Sequence, residues 1–185
     1  MRPRGGAAGA AGAIVTAALV GLGCAEADPV PWDSLRVVVG TDVKVPDELD
    51  GFAISVERDG VPIFSEKYDA KVLASLPDSV VIINEHPNND SPEKQLESVT
   101  PITITVTGFL AGVAHVSNSA KLRFNRGQLQ LPLPLCQACI DKDCDESGMT
   151  CKRGVCEDPS IGSASALPDD DGTLVDPLAQ CGPGS

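Results

Sequence analysis

Aromatic side chains are scarce in this chain: one Trp, one Tyr and four Phe among 185 residues. That excludes an interior of stacked rings, so any core must be built from Val, Ile and Leu. Histidine is scarcer still. His86 and His115 are the two present, too few for acid–base machinery or a histidine metal centre. Basic charge is also short, with 14 Lys and Arg against 26 Asp and Glu and a formal charge of −12. Arg2 and Arg4 are the only charges in residues 1–23, and without those two the rest carries 12 basic against 26 acidic side chains, or −14. A surface of that sign repels phosphate backbones and argues against nucleic-acid binding. It also argues against a bare electrostatic grip on anionic lipid. The excess acid serves solubility. There is no G-x-S-x-G, no H-E-x-x-H and no Gly-rich loop between a strand and a helix. The chain is therefore read as non-enzymatic and without a cofactor.

Cysteine is absent between residues 25 and 135, and all seven cysteines lie outside that span. The first, Cys24, closes the stretch "VGLGC". Arg2 and Arg4 precede an uncharged run of small apolar residues from 7 to 22, ending in Gly21 and Gly23. This is the pattern of a secretory leader over residues 1–23. The run is too short and too Gly-rich for a membrane span. Ending on Cys24 instead of an A-x-A-like site, it resembles the lipobox of bacterial lipoproteins. Gly23 matches that family's small residue before the cysteine. Gly21 stands where the family prefers a large aliphatic. The resemblance implies diacylglycerol on the Cys24 thiol and cleavage just before it. Glu26, rather than Asp, at the second mature position implies delivery to the outer membrane, facing the periplasm or the surface. Two acyl chains suffice for stable attachment. The alternative is an ordinary leader that leaves Cys24 as an odd thiol. Residues 24–34 then read as a tether.

From 35 to 135 the pattern alternates with period two. "LRVVV" (35–39), "FAISVER" (52–58), "VPIFSEKY" (61–68), "SVVII" (79–83), "ITITVTGF" (102–109), "HVSNSAKLRF" (115–124) and "QLQLPLPL" (128–135) are seven candidate strands. Branched residues and turn signals mark them. Asp59-Gly60 supplies a hairpin turn, and Pro62 suggests an edge strand or a strand start. No segment shows an amphipathic helical period. Seven short strands at this spacing predict an all-β fold, an immunoglobulin-like antiparallel sandwich. The expected inward residues are Val37, Val39, Phe52, Ile54, Val56, Val81, Ile83, Ile102, Ile104, Val106, Leu122, Phe124 and Leu129. The polar segment 84–100 reads as a long loop, with His86 near Glu85 and Asp90 taken as an isolated, solvated histidine.

A Cys-rich segment follows over 136–156, with Cys136, Cys139, Cys144, Cys151 and Cys156, and Cys181 makes six. Two chemistries compete. Cys136-x₂-Cys139 could open a zinc site, but the second C-x₂-C knuckle is missing. An oxidising compartment favours bridges instead, and six cysteines allow fifteen pairings. Gly148 and Gly154 permit the backbone to double back. The spacing resembles a truncated EGF-like knot. That resemblance implies Cys139–Cys151 and Cys144–Cys156, leaving Cys136–Cys181. Asp141, Asp143 and Asp145 have the first spacings of a calcium loop, but Glu146 replaces its Gly and Lys152 its bidentate Glu, so calcium is not expected. Residues 157–185, rich in Pro, Asp, Gly and Ser, are expected to form a flexible tail. The leader, the sandwich, the Cys cluster and the tail together resemble a group of predicted lipoproteins of myxobacteria and related proteobacteria. The sequence thus implies a lipid-anchored envelope protein, a spacer or recognition module held to the membrane at Cys24. A carbohydrate- or protein-binding accessory module is the alternative, with the glycan or protein partner unspecified.

Overall fold

The period-two segments become two stacked sheets. The computed structural model describes residues 34–73, 75–83, 100–123, 128–144, 148–161 and 167–182. The leader, Cys24, most of the tether, the loop histidine His86, and Phe124 lie outside the described residues. The strands are β1 (Ser34–Val39), β2 (Gly51–Arg58), β3 (Val61–Asp69), β4 (Asp78–Ile83), β5 (Ile102–Leu110), β6 (Val113–Leu122) and β7 (Gln128–Pro132). A single turn of helix, α1 (Ala70–Leu73), follows β3. Asp59 and Gly60 both have positive φ, 51° and 75°. Two such residues in succession fit the two-residue hairpin turn between β2 and β3.

One sheet has four antiparallel strands in the order β3-β2-β5-β6, and the other has three in the order β4-β1-β7. The fold is a seven-stranded, immunoglobulin-like sandwich. Its strand distribution differs from the constant-type order, in which the first, second, fifth and fourth strands share a sheet. The pairing is antiparallel except between β1 and β7, which run parallel. Parallel neighbours need a long crossover, and here the whole intervening chain supplies it. The parallel register sets Ser34 beside Gln128 and Val38 beside Pro132. It continues past the strands, where Leu133 N–H donates to Val38 O (2.9 Å) and Leu135 N–H to Gly40 O (2.8 Å). Cys136 therefore sits at the end of the sandwich opposite Ser34, roughly 23 Å along β1 at ordinary strand rise.

The core between the sheets contains Val37, Val39, Phe52, Ile54, Val56, Ile102, Ile104, Val106 and Leu122, all buried. Leu35, Leu49, Val116, Leu131, Leu133 and Leu135 join them. Val81 corrects the expectation. It points outward, 43% exposed, while Val80 and Ile82 pack against the core. The one polar residue of "SVVII", Ser79, lies on the same outward side as Val81, where Arg36 donates to its hydroxyl (3.2 Å), and is the only mark of this phase in the stretch. Pairing with β1 sets it, because Val80 and Ile82 stand opposite the buried Val37 and Leu35. Leu129 is half-buried. Β3 is the edge strand that Pro62 suggested.

The tail is the larger correction. Its described parts, 157–161 and 167–182, are not loose but strap the sandwich lengthwise. Lys121 N–H donates to Pro159 O (2.8 Å) and Ile161 N–H to Lys121 O (2.9 Å), so the chain runs down the outer edge of β6. Gln130 N–H then donates to Pro168 O (2.9 Å) and Asp170 N–H to Gln128 O (2.8 Å), which covers the outer edge of β7. The strap next crosses the outside of the three-stranded sheet. Gln130 is 0% exposed there. Its Nε2 donates to Thr173 O (2.6 Å), and its Oε1 accepts from Val175 N–H (3.0 Å). Arg36 beside it holds Asp170, Nε to Oδ2, at 2.7 Å. Val38, on the outer side of β1, is buried as a result. The strap ends with buried Pro177 against Gly40, where a Cβ would collide with the proline ring. Few apolar side chains were needed, because edge pairing and one buried amide hold the segment. Composition does not reveal either.

Candidate functional site: a groove between the sheet and the disulfide head

The three bridges are Cys136–Cys181, Cys139–Cys151 and Cys144–Cys156. These are the pairs implied by the alternating knot pattern. With all six sulfurs bridged, none is left as a thiolate to hold zinc. Between the bridges a small hairpin forms, β8 (Thr150–Lys152) and β9 (Val155–Glu157). Its turn is Arg153-Gly154, with φ 53° and 76°. A Cβ on Gly154 would lie 3.1 Å from Ala138 O, so glycine also permits a close approach of two backbones. Gly148, with φ 65°, turns the chain ahead of β8.

This head docks on the free edge of β6 through polar side chains. Ser119 N–H donates to Thr150 Oγ1 (2.7 Å), and Thr150 donates to Asn118 Oδ1 (3.2 Å). Asn118 Nδ2 donates to Pro134 O (2.9 Å). Asn118 and Thr150 are both buried, and these bonds satisfy them. Gln137 N–H donates to Asp42 Oδ1 (2.6 Å), tying the head to the end of the sandwich past β1. An edge strand left bare would pair with other chains; on β6 the head and strap prevent that.

Where head and sheet meet, a groove of about 340 Å³ opens. Its floor is the outer face of β5 and β6, where Thr107 stands directly opposite Ser117. Those hydroxyls continue a polar row, Thr103, Thr105 and Thr107 on β5 facing Lys121, Ser119 and Ser117 on β6. Thr105 and Ser119 are hydrogen-bonded at 2.9 Å. The far wall is Asp141, Lys142 and Asp143. His115 joins wall to floor. The β5–β6 register slips between Gly108 and Phe109, which oppose Val116 and Ala114, so His115 is the extra residue of a β-bulge. Its Nδ1 lies 2.8 Å from Asp141 Oδ1. Asp141 N–H in turn donates to His115 O at 2.6 Å. A carboxylate can only accept, so Nδ1 is the donor; in the neutral ring Nε2 is then left as an acceptor. Asp141 adopts φ 55°, a left-handed conformation that Asp tolerates better than most residues.

A second cavity, about 420 Å³, lies under the head between Asn118, Cys136, Lys152, Arg153 and Gln180. Nearby on the strap, Asp158 accepts from Ser160 N–H at 2.7 Å. The Ser160 side chain and backbone bonds hold its carboxyl below the usual range. Among the described residues, no three His, Cys, Asp or Glu side chains converge as a metal site. Of the three calcium-spaced aspartates, Asp141 is engaged by His115 and Asp143 lines the groove, while Asp145 lies outside the described residues. Sequence reasoning missed the pairing of His115 with Asp141. The two are 26 positions apart, and what joins them is the docking of the head, which no local pattern encodes. The bulge had one trace, a break in alternation at "FLAGVAH".

No family model matches this chain, and no curated protein matches it. Among solved structures it is similar to an alternative pilotin from the type II secretion system of Vibrio cholerae, at 6% identity and a TM-score of 0.36, over 57% of this chain and 96% of that one. A likeness at that level implies nothing about what this chain does.

Proposed function

We propose that this chain is a non-enzymatic cell-envelope protein, held to the outer membrane by lipid at Cys24, whose sandwich is a spacer presenting the disulfide head as a recognition surface. One observation carries this reading. The parallel register of β1 and β7 puts the groove and head at the end of the sandwich opposite Ser34, where the chain from Cys24 enters. Leu135 and Val116 both lie within contact distance of a Cβ on Gly108, which brings the His115 end of β6 to that same end. The groove therefore lies at the far end of the sandwich from Ser34. Among the described residues, no helix is long and apolar enough to cross a membrane. The leader and Cys24 supply the anchoring half of the reading, through the lipobox resemblance.

Radioactive palmitate fed to a bacterial host tests the anchor, and surface proteolysis of whole cells tests the exposure. The full chain should be labelled, and Cys24→Ala should not. A Cys24→Ala chain labelled as strongly as the original would refute the anchor. An intact chain in the cytosol, leader attached and all seven thiols titratable, would refute the whole reading. The groove is the observation favouring an accessory module that binds a glycan, because its floor is built of hydroxyls.

A further inference from the structure

We infer that β4 is a docking edge for a second copy of this chain, pairing antiparallel with the copy's β4 about a two-fold axis through Val81. This goes beyond the reading above and rests on neither the anchor nor the groove. A strand edge left open invites another strand. Four strands end the two sheets, β3 and β6 in one, β4 and β7 in the other. Two of these are covered. The strap pairs with β6 at Lys121 and with β7 at Gln128 and Gln130, and the head docks on β6 at Ser119. The edge of β3 is open but protected. Pro62 removes a donor, the register slip leaves Ile63 as a bulge, and Glu66 and Lys67 put charges on the strand. Bulges, charges and proline are the usual means of blunting an edge.

None of these devices is found on β4. Residues 79–83 contain no charge, proline or glycine, and the ladder with β1 runs from Asp78 to Ile83 without a slip. The Ser79 N–H donates to Asp78 Oδ1 (2.7 Å). Beyond that bond, among the described residues the backbone of 79–82 has no partner but β1. Val81 stands exposed on the outer face.

The chemistry of this edge selects its own copy. Each chain carries −12, so most surfaces of one molecule repel those of another. That repulsion is screened beyond roughly 8 Å at physiological salt, and residues 79–83 add no charge to it. A two-fold axis through Val81 puts Val81 opposite its own copy and Val80 opposite the copy's Ile82. Branched pairs of this kind stabilise neighbouring strands. Val80 and Ile82 pack against the core, so their pairing extends the apolar row from one molecule into the next. The assembly also closes. The strap occupies β7, the other edge of the same sheet, so a pair leaves no open edge on the joined sheet and does not grow into a fibre. A ladder this short covers less than the roughly 1,000 Å² of a lasting interface. The dimer is therefore weak and forms as concentration rises.

The test is sedimentation equilibrium of the full, oxidised chain from about 10 μM to about 1 mM, with mild detergent in excess so that chance sharing of a micelle is rare. Monomer should give way to dimer and to nothing larger, and the dimer fraction should rise with salt. Hydrogen exchange at the concentrated end should slow within residues 79–83 and not on β3. Val81→Lys sets two like charges opposite each other and should weaken pairing about tenfold or more. Its melting temperature in dilute solution should be unchanged, because Val81 already faces water. Ile63→Lys, on β3, should pair like the original chain. The inference is overturned if the chain stays monomeric at about 1 mM, or if Val81→Lys pairs undiminished. It is equally overturned if Ile63→Lys is the variant that blocks pairing, for β3 would then be the interface, or if species larger than a dimer accumulate.

Discussion

Replacing Gln130 by Ala should release the strap from the sandwich. The Gln130 side chain is wholly buried between β7 and the strap. It donates to Thr173 O at 2.6 Å and to Asp170 Oδ1 at 3.4 Å, and it accepts from Val175 N–H at 3.0 Å. A buried group that loses its partner costs about 1–3 kcal/mol. Thr173 is exposed and Val175 half-buried, so water replaces part of what is lost and the low end applies to each. With the void left by the amide, the total is about 2–3 kcal/mol. For a chain of this size that lowers Tm by roughly 5–10 °C. Hydrogen exchange gives the sharper readout. The amides of Asp170 and Val175 should exchange much faster, while those of Ile54, Ile104 and Val106 keep their protection. Gln130→Met, which fills the space but cannot bond, separates packing from hydrogen bonding and should behave nearly like Ala at Val175. Unchanged exchange at Val175 in both variants would show that the buried amide does not hold the strap.

Ile104, fully buried on β5, should not tolerate Asp. The unpaired charge should abolish folding, and a cooperative thermal melt like that of the original chain would contradict the β5 register. Replacing Cys136 and Cys181 by Ser removes a bridge spanning 45 residues, worth about 4 kcal/mol by loop entropy, against about 3 for either 12-residue bridge. Denaturant midpoints of the three double variants should rank in that order, and a smaller loss for Cys136–Cys181 would contradict it. The Tyr68 hydroxyl is raised above its ordinary value, first by burial, then by its hydrogen bond to Glu66 and the charges of Glu66 and Asp78. The folded state therefore favours the protonated phenol. That contribution is complete below the ordinary tyrosine pKa of about 10 and is lost as pH rises through the higher folded value. Absorbance titration of this tyrosine should show the shift, and Tyr68→Phe should flatten the alkaline fall in stability.

Much of the sandwich was legible because burial on one face of a strand leaves a period of two. "ITITVTGF" shows this plainly, with its threonines outward and Ile102, Ile104 and Val106 buried. In "SVVII" the phase rested on Ser79 alone, which shares the outward side with Val81, and four apolar residues in a row left Val81 misassigned. The parallel β1–β7 pair is a matter of topology, and no strand advertises its neighbour's direction. The strap was illegible for another reason. Its contacts are backbone bonds to two strand edges and one glutamine, Gln130, that in the sequence looks like a surface residue in "QLQLP". The candidate groove depends on a bulge at His115 and a turn at Asp141 brought together by docking, so neither residue signals the other.

The parallel partnership of β1 with β7 also governs how the protein responds to force. A pull between Ser34 and anything grasping the far end draws these two strands past each other along their length. Every rung of the ladder is then strained at once, whereas a pair peeled from one end gives way rung by rung. Residues 137–180 lie inside the loop closed by Cys136–Cys181 and cannot pay out as slack. The strand pair, not the tail, takes the tension.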